Sequence, residues 1–364
     1  MRVLLTQFIS NPIVMAHLAN ALCKKNEVSL LIAKRLYRKE YFDDRIDVNL
    51  IDVPKSFCGM LFNTLNPTTY YSIVKKIKEI APDVIHITWD FLWYDLLSPY
   101  LKKYPLILTD EEPFLKVLTF YGKTLYKAFK LHTYKMSDVI IVHGRRAKEH
   151  LLRKGVPEFK IRVVPIGALS FYTKWKRGVA EENCVLLFGA IEEYKGLEYL
   201  IKAAPLIISS VPDAKIVIAG KGKAYQKYKD QLNEHYFEVH NRYIPDEEVA
   251  FFFERAAVVV LPYIHGSSSG VIPLAYAFGK PVVVTDVGDV ADPVEDGKTG
   301  FVIPPRDEKS LAEAVVKLLV NKNLRESMKM NMKRVVEDKL SWERIADKMV
   351  CIYEEAMTKK TFKP

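Results

Sequence analysis

The sequence predicts an α/β protein built from two parallel-sheet domains, and three observations carry that expectation. Short β-branched runs alternate with longer amphipathic stretches from end to end, the pattern of parallel strands joined by crossover helices. The runs are continuously apolar, as at Val258–Leu261 and Val282–Val284, which suits strands covered on both faces. The series restarts at Cys184 after a polar, strand-poor stretch, Tyr172–Asn183, and a chain of 364 residues suits two domains of ordinary size.

In the first half, strands are expected at Arg2–Phe8, Glu27–Ile32, Asp83–Thr88, Leu106–Thr109, Asp138–Val142 and Arg162–Pro165, with a helix at Ile13–Lys24. In the second half they are expected at Cys184–Gly189, Lys215–Gly220, Glu238–Tyr243, Ala257–Leu261, Val282–Thr285 and Gly300–Ile303. The closing stretch, Ser341–Met357, reads as a helix with Ser341 as N-cap and Ile345, Met349, Ile352, Tyr353 and Met357 at helical spacing. The expected domains are 1–171 and 172–340, followed by a terminal helical segment, 341–364.

Composition excludes several classes. With 49% hydrophobic and 27% charged residues the chain is globular rather than disordered. No apolar run approaches the roughly 20 residues of a membrane span. The chain starts on a strand-like run without a signal-peptide pattern. Cys23, Cys58, Cys184 and Cys351 lack metal or CxxC spacing, so buried thiols in a reduced, cytoplasmic setting are expected. Residues 1–174 hold 27 Lys and Arg against 16 Asp and Glu, net +11, whereas residues 175–364 hold 27 against 28, net −1. The basic first half suggests an anionic partner. Zinc-finger spacings, RRM signatures and Arg-rich helices are absent from the sequence, so nucleic acid is not expected to be that partner.

Ligands of open parallel sheets bind beyond the carboxyl ends of the strands, and two strand–loop–helix passages stand out there. In FGAIEEYKGLE at Phe188–Glu198, a strand ends in Gly189 and a helix begins near Gly196, with Lys195 beside its N-terminus. Helix N-termini favour anions, and the lysine adds a full charge suited to a diphosphate; the bland alternative is a solvated lysine at a capped helix. In LPYIHGSSSGV at Leu261–Val271, Gly and Ser permit close backbone approach and three hydroxyls can bond sugar or phosphate oxygens. Here the alternative is a flexible surface turn.

These passages, with VIAGKG at Val217–Gly222, YIPDEEVAFFFERAAVVVLPY at Tyr243–Tyr263, SSSGVIPLAYAFGKPVVVTDVG at Ser267–Gly288, EDGKTGFVIPP at Glu295–Pro305 and SWERIA at Ser341–Ala346, resemble the retaining family 4 (group 1) glycosyltransferases. The resemblance covers most of the second half; the first half shares mainly its layout and DVIHIT at Asp83–Thr88. It implies the GT-B fold, two Rossmann-like domains facing across a cleft, with the last helix crossing back to the N-terminal domain. It further implies a nucleotide sugar in the second domain and a glycan or lipid-linked acceptor in the first, in cell-surface polysaccharide or glycoconjugate synthesis. Lys195 matches the lysine on the donor diphosphate. The segment Ser267, Ser268, Ser269, Gly270 and Val271 matches the amides that hold phosphate and sugar. Tyr243 and Ile244 match the base-packing positions, and Gly189 and Gly220 the close-approach glycines. The implied reaction is front-face displacement with retention, without metal or cofactor, the nucleotide sugar being a substrate.

Several positions depart from the family pattern. Gly266 and Leu274 stand where many members carry two glutamates, and Ala190 replaces a common arginine. Ser10-Asn11-Pro12 replaces a glycine pair after the first strand, and Asp110 stands in place of a histidine. Ser10, Asn11, Asp110 and His143 are the acceptor-side candidates, Asp110 and His143 also as catalytic groups, although Asp110 could instead cap a helix. His86, inside a strand run, reads as a core histidine. The stretch Pro113–Lys135 contains no acidic residue and places Lys116, Lys123, Lys127 and Lys130 on one helical face. That face is either solvated or a contact for an anionic membrane, peripheral on its inner side. Rival readings are a GT-B epimerase or phosphorylase, whose acid/base pair and cofactor lysine are not located, and a catalytically inactive nucleotide-sugar binder or partner subunit.

Overall fold

The computed structural model describes residues 1–8, 11–53, 66–88, 96–111 and 123–361. The chain divides into two compact units, one of Met1–Pro165 with Trp342–Pro364, the other of Ile166–Ser341.

The first unit carries a seven-stranded parallel sheet in the order β3-β2-β1-β4-β5-β6-β7. Its strands are β1 (Arg2–Gln7), β2 (Glu27–Ala33), β3 (Asp47–Ile51), β4 (Val84–Ile87), β5 (Leu106–Thr109), β6 (Val139–Val142) and β7 (Ile161–Val163). Leu4 lies opposite Ser29 on one side and Ile85 on the other, so β1 is central. Every residue of β4, β5 and β6 is buried, the reason those runs are apolar without alternation. The helices are α1 (Ile13–Leu22), α2 (Pro67–Ile80), α3 (Lys123–Met136) and α4 (Arg145–Arg153). Asn66 caps α2 through a 3.0 Å bond from Thr68 N, with Pro67 at the first position, where its missing N–H costs nothing.

The second unit holds a six-stranded parallel sheet in the order β10-β9-β8-β11-β12-β13. The strands are β8 (Cys184–Phe188), β9 (Lys215–Ala219), β10 (Phe237–His240), β11 (Ala256–Leu261), β12 (Val282–Thr285) and β13 (Gly300–Ile303). Its helices are α5 (Leu197–Ser210), α6 (Asp246–Arg255), α7 (Val271–Ala277), α8 (Glu308–Val320) and α9 (Lys322–Val335). Strand order reverses between β1 and β4 in one sheet and between β8 and β11 in the other. Such reversals spread the loops on either side apart and open a crevice at the strand ends.

The last helix, α10 (Trp342–Thr361), belongs to the first unit. Ile345, Met349, Ile352 and Tyr353 are buried along it. Trp342 stacks on His17 with ring centroids 5.2 Å apart. Tyr353 OH meets His86 Nδ1 at 2.8 Å, and His86 Nε2 meets Thr109 Oγ1 at 2.7 Å. Lys24–Glu343 and Lys25–Asp347 ion pairs flank the packed face. Burial holds the His17 ring at a pKa of about 4, and burial together with nearby His143 holds His86 at about 3. His86 is a core histidine, with both ring nitrogens bonded.

Three expectations are corrected. The strand β3 was not foreseen, because an edge strand reading DVNLI is half-exposed and mixes polar with apolar residues. The first boundary falls at Pro165 rather than after residue 171. The connecting segment is tied to the second unit, with Ala168 N bonded to Leu340 O and Leu169 N to Pro273 O. Cys23 and Cys184 are buried thiols and Cys58 lies outside the described residues, but Cys351 is exposed, since Ile352 and Tyr353 take the inward positions of α10.

Candidate functional site

Both passages singled out in the second half flank one sheet reversal: residues 189–196 follow β8 and residues 262–270 follow β11. The two loops approach at backbone level. Gly196, the N-cap of α5, has φ +72°, and a Cβ on it would lie 1.8 Å from Pro262 O. Gly220, at φ +147°, would place a Cβ 1.9 Å from Gly189 O. Neither position admits a side chain. Backbone bonds lock the arrangement: Gly189 N to Ala219 O at 2.9 Å, Ile264 N to Tyr194 O at 2.9 Å and Asp289 N to Ser267 O at 2.7 Å.

Lys195 ends a short 3₁₀ turn and is only 8% exposed. Its ammonium donates to the Tyr263 hydroxyl and lies 4.1 Å from the Tyr263 ring centroid and 5.5 Å from that of Tyr194. Among the described residues it has no carboxylate partner. Burial pushes its pKa down, and nearby Tyr194 acts weakly against that. The Tyr263 hydroxyl, itself raised in pKa by burial, lies 3.1 Å from Ser269 Oγ, which accepts from Val271 N at 3.3 Å. Three of the expected residues, Lys195, Ser269 and Val271, are thereby joined through Tyr263. Tyr263 joins them here; its signal in the sequence is an aromatic hydroxyl two residues past a strand end, beside a serine loop. Ser267 is buried, while Ser268 and Gly270 are half-exposed.

Other expected positions fall as follows. Tyr243 is 69% exposed and Ile244 only 7%, so the tyrosine ring alone offers area for stacking. Leu274 is buried in the core, as suits an apolar residue standing in place of a ligand-facing carboxylate. Beside Tyr194 opens a cleft of about 400 Å³ lined by Glu192, Glu193, Tyr194, Lys223, Ala224, Lys227 and His265. Tyr194 and His265 stack along it with centroids 5.4 Å apart. Carboxylates, ammonium groups and ring faces together suit a hydroxylated ligand. The sequence alone assigns no role to these cleft residues.

The first-half candidates are held within their own unit. Asn11 Oδ1 accepts from Ile13 N at 3.0 Å, a local turn just ahead of α1, whose N-cap is Pro12. Ser10 lies outside the described residues. Asp110, just past β5, is 3% exposed; its Oδ1 accepts from Lys130 Nζ at 2.8 Å and its Oδ2 from the Tyr134 hydroxyl. Lys130 and Tyr134 are four apart on α3 and so share one face. His143 Nδ1 donates to Val164 O at 2.8 Å, with Glu111 Oε2 3.3 Å from Nε2. Burial opposes protonation of this ring, but Glu111, the Val164 carbonyl and Asp110 together outweigh it and the pKa is raised. The membrane-facing role expected for Lys130 is overturned, because the side chain is 4% exposed and bonded to Asp110. Lys116, and the side chains of Lys123 and Lys127, lie outside the described residues.

Both halves of the chain match known proteins. A family model described as "Glycosyl transferases group 1" matches residues 182–321, and one described as "Glycosyltransferase Family 4" matches residues 13–168. An uncharacterized glycosyltransferase of Methanocaldococcus jannaschii is 30% identical over 65% of this chain and 64% of its own length. Alpha-D-kanosaminyltransferase of Streptomyces kanamyceticus is 30% identical over 71% of this chain and 68% of its own. The chain thus spans a little under two thirds of the first of these relatives. Among solved structures, HepE of Anabaena in complex with UDP superposes with a TM-score of 0.74 at 14% identity, over 98% of this chain and 100% of that one.

Proposed function

From a chain that belongs to the family 4 (group 1) glycosyltransferases and has the two parallel α/β sheets of the GT-B fold, we propose a retaining hexosyltransferase. It moves a sugar from a nucleoside-diphosphate donor to a glycan or lipid-linked acceptor. The observation that carries the reading is Lys195: a buried ammonium at a sheet reversal, held by a neutral hydroxyl and lacking a carboxylate among the described residues. A buried charge without a counter-charge is costly, and an arriving diphosphate supplies one. The N-terminus of α5, starting at Leu197, adds positive potential beside it.

In the proposed reaction the acceptor hydroxyl attacks the anomeric carbon on the face from which the diphosphate departs. The C–O bond to the donor breaks as the new glycosidic bond forms, and a departing phosphate oxygen takes the acceptor proton. The protein's part is positioning and stabilisation of leaving-group charge. Lys195 and the amides of residues 267–271 supply that, and Tyr243 offers a ring to the base. The proposed reaction requires no metal or cofactor, so chelation should leave transfer unchanged. We place it in the cytoplasm. Among the described residues no helix is long and apolar enough to cross a membrane.

Transfer of radiolabelled sugar from a panel of nucleotide sugars to glycan and lipid-linked acceptors tests the reading, with the anomeric configuration of the product read by NMR. A retained configuration supports it, and an inverted one overturns the mechanism. A second reading, a nucleotide-sugar binder without transfer, is favoured by Gly266 and Leu274 in place of two glutamates; binding without transfer to any acceptor selects it.

A further inference from the structure

If Lys195 meets the donor diphosphate, one buried neighbour still lacks a role. Tyr263 is 3% exposed, yet its hydroxyl is shared by two polar side chains from different loops. An ammonium carries donors and no acceptor, so the Tyr263 oxygen accepts from Lys195. The Tyr263 O–H is then free to donate to Ser269 Oγ, 3.1 Å away. Ser269 Oγ also accepts from Val271 N at 3.3 Å, which leaves the serine proton to donate outward. The order is therefore ammonium, phenol, serine hydroxyl, and each bond polarises the next. This chain spans the loop after β8 and the loop after β11, whose backbones already touch at Gly196 and Pro262.

We propose that Tyr263 is a positioning residue for the donor diphosphate, joining the Lys195 ammonium and the Ser269 hydroxyl into one donor unit. The proposal rests on the transferase reading above. Tyr263 acts through its two neighbours and does not itself touch the ligand. Freed from the phenol, the lysine would lose its fixed direction and the serine its orienting donor.

Calorimetric binding of UDP, GDP and ADP to the full chain provides the test. Tyr263→Phe keeps the ring and removes the hydroxyl. It should weaken the tightest-bound nucleotide by about tenfold, the scale of one hydrogen bond to a charged group. Lys195→Met should weaken it at least as much. Because Tyr263 acts through Lys195, adding Tyr263→Phe to Lys195→Met should cost less than about twofold more. Ser269→Ala, a half-buried loop change that leaves the core intact, should cost about threefold and serves if Tyr263→Phe does not fold. The role is overturned if Tyr263→Phe binds within about twofold of wild type, or if the double variant loses the product of the single losses. A wild-type chain that binds none of the three nucleotides overturns the transferase reading and this role together. Binding by wild type with an unchanged Tyr263→Phe overturns the role alone.

Discussion

Lys130 in the first unit and Lys195 in the second, both buried, meet the same physical problem differently. Lys130 is 4% exposed and Lys195 is 8% exposed. Lys130 sits 2.8 Å from the Asp110 carboxylate, which also accepts from Tyr134, so its charge is neutralised inside the first unit. Lys195 is held by a phenol and two aromatic faces, and burial pushes its pKa down. A buried cation with a built-in anion is part of the scaffold. A buried cation without one is poised for an anion from outside. Burial does not separate the two cases; the identity of the partner does.

The same substitution in both pockets sharpens that contrast most. Lys130→Met leaves Asp110 buried without its cation and should cost about 3–5 kcal/mol of stability, read by urea denaturation. A midpoint close to wild type would place Lys130 on the surface and break the comparison. Lys195→Met removes a charge that lacks a carboxylate partner, so stability should hold or rise while transfer falls about 10²–10³-fold. A large loss of stability with transfer retained would make Lys195 a scaffold residue too.

Smaller effects probe what surrounds the second pocket. Gly196→Ala drives a Cβ against Pro262 O at a positive φ, at a cost of about 1–3 kcal/mol in strain, and should weaken nucleotide binding by displacing the loop that carries Lys195. Binding unchanged in this variant would show that the loop contact does not set the site. The smallest effect concerns a third solution to burial, in which a base gives up its proton. His86 and His17 stay neutral when folded, with pKa values of about 3 and about 4, but protonate when unfolded near 6.5. The unfolded chain therefore binds more protons as pH falls. The stability these rings contribute is full above about 6.5 and is lost progressively as pH falls toward the folded values. Between pH 7 and 5.5 the loss should be on the order of 1 kcal/mol for His86. Thermal melts across that range check it, and His86→Asn should flatten the slope.

Much of the fold was legible because it rests on local pattern. The runs Leu106–Thr109, Val282–Thr285 and Gly300–Ile303 are strands with the expected bounds, since fully buried strands need uninterrupted apolar residues. Asp47–Ile51 escaped notice because an edge strand gains half its pairing from a neighbour and carries no such run. At the site, the loops after β8 and β11 were legible from glycine, serine and lysine punctuation. Tyr263 was not, because what it does depends on atoms six and 68 residues away.

The order of residues by itself determined the α/β class, the two-part layout, the helix at the C-terminus and the loops where chemistry could occur. Each follows from periodicity and from backbone preferences that act over a few residues. Tertiary structure alone decided which charged side chains are spent on the fold and which are kept for a ligand. Lys130 and Lys195 look alike in a linear text. Only the packing of α3 against Asp110, and of the β8 loop against Tyr263, gives one lysine a carboxylate and the other a neutral hydroxyl. Burial magnifies that difference, because in a low-dielectric interior the partner of a charge determines what the charge can do.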